Sequence, residues 1–457
     1  MTGARDPRFG VRKGAKRSRG AIIEAKMDMV VVRRTLSFVL FAALIAAAGC
    51  TVNPVTGKSQ LDLLGEAQEI QLGKNLYPGA VQGSLGPIAE DGVQEEVERV
   101  GEAVAAVSHR PGLEYAFTAV NDPNVNAFAL PGGKICITRG LLSRLESEDG
   151  LAAVLGHEVG HVTARHAVSA YNRQLLATAI LVGGTVYMES EDVKNRGLIT
   201  LGALVGGELV LAHYSREQER QADELGLDYA VKAGYAPEGM IETQKVLLDL
   251  QKTQPGIVQR LFASHPMSAE RLGTAEKRVA LLPADVRGRA VKVKPYRTVM
   301  AGVIAQRPAW DLAQEGIGLM GRDKGREAEG KFAEAVRMAP AEGVLRSLHA
   351  VSLVSAKRKE AAIPEARDGA RLSPGVYMCR LVAGELLIEP DAAAALENLQ
   401  SAERLLPGQA RVSLLRGRAL ERLGRSNDAK AAYREAITRD PNGEVGAEAA
   451  RRVRSLG

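Results

Sequence analysis

The sequence predicts an α+β fold: a mainly helical body carrying a small sheet, followed by an all-α solenoid of helix pairs. Three observations carry this. Pro340, Pro374, Pro407 and Pro441 recur at intervals of 34, 33 and 34 residues, a period that belongs to stacked helix pairs. Leu151, Val154, Leu155, Val159 and Val162 are spaced as one helical face. Tyr115 to Val120 and Lys134 to Thr138 have strand character, separated by Asn121-Asp122-Pro123 and Pro131-Gly132-Gly133 turn signals. With 457 residues, 46% hydrophobic and 25% charged, the chain is too long for one core, and two or three domains are expected. Three cysteines exclude a disulfide scaffold.

Taken in order, residues 1–34 hold ten Lys/Arg against three acids, while the rest of the chain sets 50 basic residues against 51 acidic ones. The net charge of +6 therefore belongs to a leader, and the basic surface of a nucleic-acid binder is missing. After Arg33 and Arg34, the uncharged apolar run Leu36 to Ala48 has the length of a signal-peptide core and is short for a membrane span. Met27 or Met29 would open a signal peptide of ordinary length. The run closes on Ala47-Ala48-Gly49-Cys50, which resembles a bacterial lipobox. That resemblance implies lipidation of Cys50 and a membrane anchor through it. Because Thr51 rather than Asp follows, it also implies sorting to the outer membrane of a Gram-negative bacterium, facing the periplasm. Read as an uncleaved anchor instead, the same segment still places the body outside the cytoplasm. Residues 1–49 are thus leader and signal peptide, and residues 50–285 the catalytic body.

Within the body, Leu175 to Met188 and Leu198 to Ala212 are apolar stretches shorter than a typical span, read as a buried or membrane-facing helical hairpin. Residues 286–308, with Pro295, Pro308 and the alternation Val291-Lys292-Val293-Lys294, are expected as a linker. Residues 309–457 are expected as four tetratricopeptide repeats and a cap. Twelve residues before each proline stand Ala328, Ala362, Ala395 and Ala429; five before stand Ala335, Gly369, Ala402 and Ala436. The bulky position eight before reads Phe332, Ala366, Leu399 and Tyr433, so the middle repeats are degenerate there. Such stacks present a concave groove to a partner segment.

The chemistry lies in His157, Glu158, His161 and Glu219. Ser147 with Glu148 and Asp149 supplies the start signals of a helix on which His157 and His161 stand one turn apart. Two imidazoles so placed can bind one zinc ion per chain, with Glu158 between them as general base. A third ligand should come from a second helix. Ser215 and Gln218 form a capping box that puts Glu219 and Asp223 on one face at i and i+4. Glu219 is the expected ligand, Glu217 its rival, and Asp223 the acceptor of a ligand histidine's free ring N–H.

His157-Glu-Val-Gly-His161 with Glu219-xxx-Asp223 resembles the gluzincin metallopeptidases, and within them the CAAX prenyl endopeptidase and HtpX-like family, in particular its lipoprotein branch with tetratricopeptide repeats. Asn53 to Lys58, Asn126 to Gly133 and Thr138 to Leu142 are similar to that branch as well. The resemblance implies a zinc metalloendopeptidase that degrades misfolded or misassembled outer-membrane proteins, with the repeats docking substrate or assembly machinery. It also implies that Asn126, Ala127, Phe128 and Ala129 form an edge strand to which an extended substrate adds. His265, in a Pro-bounded loop, is a candidate fourth ligand holding the enzyme latent. His213 or Tyr214 is a candidate oxyanion donor. His109 and His166 are expected to pack or hydrogen-bond locally. The competing function is a repeat-based chaperone or assembly scaffold with a latent peptidase site.

Overall fold

The computed structural model describes residues 50–61, 64–172, 214–266 and 269–456. The leader, the apolar stretches at 175–212 and His213 lie outside the described residues. Packing separates two units. The smaller, Met1–Val52 with Lys58–Gly65, holds among its described residues an antiparallel hairpin of β1 (Cys50–Val52) and β2 (Ser59–Leu61). The larger, Asn53–Gly57 with Glu66–Gly457, holds all the other described elements. No helix of the described residues is long and apolar enough to cross a membrane.

In the larger unit, α1 (Glu66–Gly83) and α2 (Asp91–Ala106) lead into a sheet of strand order β3-β5-β4. β3 (Ala116–Val120) runs parallel to β5 (Lys134–Thr138), and β4 (Ala127–Leu130) pairs with β5 in antiparallel fashion, leaving β4 on the edge. The Pro-Gly-Gly signal is the short turn Pro131–Gly133 between β4 and β5, where Gly132 and Gly133 have φ of 72° and 84°, backbone that only glycine adopts without strain.

After α3 (Arg139–Leu142) comes α4 (Glu148–Thr163), the helix of the two histidines, with all 16 residues buried. Ser147 caps it as expected, its Oγ accepting from Gly150 N–H at 3.0 Å. Glycine lets its partner α5 (Arg216–Lys232) come close. A Cβ on Gly156 would stand 2.8 Å from the Gly226 carbonyl oxygen, and one on Gly226 would stand 2.7 Å from His157 N. The Ser215–Gln218 capping box is present in both directions and fixes where α5 begins. α6 (Glu238–Thr253), α7 (Pro255–Ser264) and α8 (Ala269–Ala280) complete this part of the body.

Residues 286–308, expected as a linker, are packed instead. After α9 (Ala284–Arg287), α10 (Val293–Val299) and α11 (Ala301–Met320) bury Tyr296, Met300 and Val303 completely in the core of the peptidase body. These three recur at i, i+4 and i+7, a helical stripe that the prolines obscured. Pro295 lies in a first turn, where its missing N–H costs nothing, and Pro308 lies inside α11. Farther along α11, Ala309, Trp310 and Ala313 belong to the core of the repeats. Arg139, 2% exposed, locks the junction: it donates to Asn121 Oδ1 at 3.2 Å and Gln306 Oε1 at 2.8 Å and lies 4.8 Å from the Trp310 ring centre.

Four helix pairs follow the period of the prolines: α11 with α12 (Gly325–Met338), α13 (Gly343–Ser355) with α14 (Lys359–Leu372), α15 (Tyr377–Leu386) with α16 (Ala392–Leu405), and α17 (Ala410–Arg422) with α18 (Ser426–Arg439). α19 (Glu444–Ser455) follows the last pair. Each proline stands two residues beyond the second helix of its pair, where it ends the helix without breaking it. The degenerate bulky position is compensated across the pair. Gly316 faces Phe332 and Gly417 faces Tyr433, while Ala350 and Ala383 stand at the same repeat position where the bulky residue is only Ala366 or Leu399. A Cβ on Gly417 would stand 2.4 Å from the Tyr433 ring. Gly417→Ala is therefore expected to cost about 1–3 kcal/mol by overpacking. Adding Tyr433→Leu should recover most of the loss in thermal unfolding; an additive loss would refute the pairing.

Candidate active site

Two helices and one loop converge on the site. α4 presents His157 and His161, α5 presents Glu219 and Asp223, and the loop after α7 presents His265. His157, His161, Glu219 and His265 are all buried, and each offers a ligand atom within 4.8 Å of the others'. Glu219 is fully buried, whereas the rival Glu217 is exposed.

The hydrogen bonds decide which ring nitrogens face inward. His157 Nδ1 lies 3.0 Å from Asp223 Oδ1, a carboxylate oxygen that only accepts, so Nδ1 carries the proton. His161 Nδ1 lies 2.9 Å from His166 Nδ1, and His166 Nε2 lies 3.0 Å from Gln221 Oε1. The amide oxygen takes the His166 Nε2 proton, which leaves His166 Nδ1 to accept from His161. With both rings neutral, as zinc ligation requires, the two inner nitrogens are bare, and they face each other at 3.0 Å. Two lone pairs so close repel unless a cation sits against them. With the Glu219 carboxylate 3.3 Å from His161 Nε2 and 3.6 Å from His157 Nε2, the donor set fits a zinc ion.

Arg271, which the sequence reading passed over, holds the acids in place. Its guanidinium makes two bonds to Asp223, each 2.7 Å, and a 2.8 Å ion pair with Glu219 Oε2. The available signal was the spacing Arg271, Ala275, Val279, the buried stripe of α8. Tyr214 stacks on the His161 ring with centroids 3.9 Å apart, and His166, expected to hydrogen-bond locally, orients His161.

Charge states follow from burial and neighbours. Burial drives the His161 pKa well below its ordinary value, with the nearby His157 and His166 acting the same way. For His157 burial also acts downward, but the Asp223 hydrogen bond and the Glu219 charge outweigh it and raise the pKa. Burial acts upward on Glu219 and Asp223, yet both are held below the carboxylate range, Glu219 by His265, His161 and His157, Asp223 by His157 and Arg271. Glu158 differs: burial raises its pKa over the opposing pull of His265 and His157, which makes it the stronger base. Its Oε2 is buried with no hydrogen-bond partner among the described residues. The Ala129 backbone of the edge strand lies beside the same carboxylate and acts weakly to lower its pKa.

A buried His-Glu-His centre, with a buried carboxylate beside it that keeps one free oxygen, on two close-packed helices behind an edge strand, defines the domain of a zinc metallopeptidase. Residues 92–279 match peptidase family M48, and the chain carries an M48 metallopeptidase domain. Mitochondrial metalloendopeptidase OMA1 of Arabidopsis thaliana is 34% identical over 211 residues, covering 46% of this chain and 39% of its own. OMA1 of Schizosaccharomyces pombe is 32% identical over 181 residues, 40% of this chain and 51% of that one. The beta-barrel assembly-enhancing protease of Escherichia coli K12 is 26% identical over 245 residues, 53% of this chain and 48% of its own. The chain thus spans about half the length of these relatives or less. Among solved structures, the tetratricopeptide protein YrrB aligns with 46% of this chain at 15% identity and a TM-score of 0.30, so the repeat architecture rests on the helix pairs themselves.

Proposed function

We propose that this chain is a zinc endopeptidase that cuts unfolded or misassembled proteins of the bacterial envelope, anchored in the periplasm through a lipid on Cys50, with its repeats docking substrate or assembly machinery. The observation that carries it is the buried group His157, His161, Glu219 with the unpaired Glu158 oxygen beside it. The leader and lipobox support the compartment, and relatives named for β-barrel assembly support the substrate class.

In this reading His157 and His161 hold zinc through Nε2 and Glu219 through its carboxylate, while Asp223, His166 and Arg271 keep those ligands oriented. Zinc bound there supplies Lewis-acid polarisation of a peptide carbonyl and lowers the pKa of water toward about 7. Glu158 takes a proton from the attacking water, holds it on its carboxylate and passes it to the departing amine. An extended substrate lies along β4, at Asn126 to Ala129, and adds a strand to the open edge of the sheet by main-chain hydrogen bonds. Strand addition reads backbone, which suits a substrate defined by being unfolded. The decisive experiment is cleavage of an unfolded protein by the full chain and by its Glu158→Gln variant.

One observation favours the latent scaffold as a second reading. His265 is 3% exposed, its Nδ1 lies 3.0 Å from Glu219 Oε1, and it lines the same cavity as Glu158 and Ala127 of the edge strand, where it can fill the fourth zinc position. As a latch it must leave before a substrate enters. His265→Ala is expected to raise the cleavage rate on an unfolded protein by about tenfold, the factor a tenth-populated open state withholds. An unchanged rate would end the latch reading.

A further inference from the structure

Beside Glu158 and His157 opens a narrow cavity, which reaches from Ala127 of the edge strand to α6 and α7. Its walls are apolar: Leu141, Ala153, Val154, Met240, Leu247 and Leu261. A substrate strand on β4 would place one side chain over this cavity. The polar groups that line it are nearly all engaged. Asp223 is held by His157 and Arg271, Arg271 by Asp223 and Glu219, and the Thr243 hydroxyl donates to Gly150 O at 3.3 Å. Glu158 keeps one free oxygen, which the reaction uses.

Gln244 is the exception. It is 2% exposed, it lines the cavity, and its Oε1 has no hydrogen-bond partner among the described residues. The amide orientation follows from its other contact, 3.6 Å to the Met240 sulfur. A thioether can only accept, so the NH2 faces it and the oxygen is left over. A buried acceptor without a donor is costly, and a ligand that brings the donor recovers that cost.

Resting on the peptidase reading, we propose that this cavity is a specificity pocket and that Gln244 makes it select tyrosine, a side chain with a flat apolar body and one hydroxyl donor at its tip. An aromatic ring suits walls of Leu, Val and Met, and the phenol O–H reaches an acceptor that phenylalanine leaves unpaired. A lysine tip would bury a full charge against one neutral oxygen near Arg271, which desolvation forbids.

The test uses the full zinc-loaded chain and a series of fluorogenic peptides identical except for Tyr, Phe, Leu, Trp or Lys placed in turn on either side of the cleaved bond. At one position kcat/KM for Tyr should exceed that for Phe by about tenfold, the worth of one buried hydrogen bond. Gln244→Leu, or Gln244→Met should the first variant fold poorly, should bring that ratio to about one. Equal rates for Tyr and Phe at every position, a preference for Trp, or a Tyr preference that survives both substitutions would overturn the proposal while leaving the peptidase reading intact. Failure to cleave any peptide, with the parent no better than Glu158→Gln, would strike the peptidase reading itself and the pocket with it.

Discussion

Glu158→Gln is expected to lower kcat/KM on an unfolded protein by about 10³-fold while leaving zinc content at the parental level. The argument separates two functions that lie next to each other on α4. Glu158 is outside the group of four residues whose ligand atoms converge, so the metal does not depend on it. It is 2% exposed, so the replacement must fit the same space, and glutamine has the same shape. What it loses is the ability to take up a proton. Parallel measurement of cleavage and bound zinc decides the matter: a variant that holds zinc and keeps more than a few per cent of the parental rate would remove Glu158 from the mechanism. If parent and variant both hold zinc and neither cuts, the scaffold reading moves ahead and His265 becomes the residue to change.

The parts of this site that were legible in the sequence are those written in local spacing. His157 and His161 announce a shared helix face because four residues make one turn, and Ser215 with Gln218 announces the start of α5, which places Glu219. The proline period announces the helix pairs for the same reason. What stayed hidden depends on partners far apart in the chain. Arg271 is 48 residues from Asp223, and nothing local to it says that it answers two buried carboxylates. His166 looks like any histidine near a helix end until its ring is seen against His161. The stripe Tyr296, Met300, Val303 had the right period, but it was divided by an expectation that prolines mark a linker. In the repeats the aromatic position looked degenerate because one helix was read alone. The pairing of Gly417 with Tyr433 shows that volume is set by the pair, not by the position.

Arg271→Met is expected to destabilise the chelated protein far more than the zinc-loaded one. Arg271 is 8% exposed and neutralises Asp223 through two 2.7 Å bonds and Glu219 through one 2.8 Å contact. Removing one partner of a buried ionic cluster leaves uncompensated charge, at a cost of about 3–5 kcal/mol. For a unit of this size that lowers the unfolding midpoint by roughly 5 °C. Zinc changes the balance because it answers the same carboxylate, Glu219, that Arg271 leaves exposed to charge imbalance. A contrary effect exists: Asp223 would orient His157 less firmly, and losing such a partner weakens zinc binding by about 10–100-fold, or roughly 1.4–2.7 kcal/mol. The charge effect is the larger, so added zinc should raise the midpoint of Arg271→Met more than it raises that of the parent. Thermal unfolding of both proteins, with chelator and with zinc, gives the four numbers required. Equal losses in the two conditions would show that Arg271 acts only as a structural brace between α5 and α8, and that the metal and the guanidinium do not share the charge of Glu219.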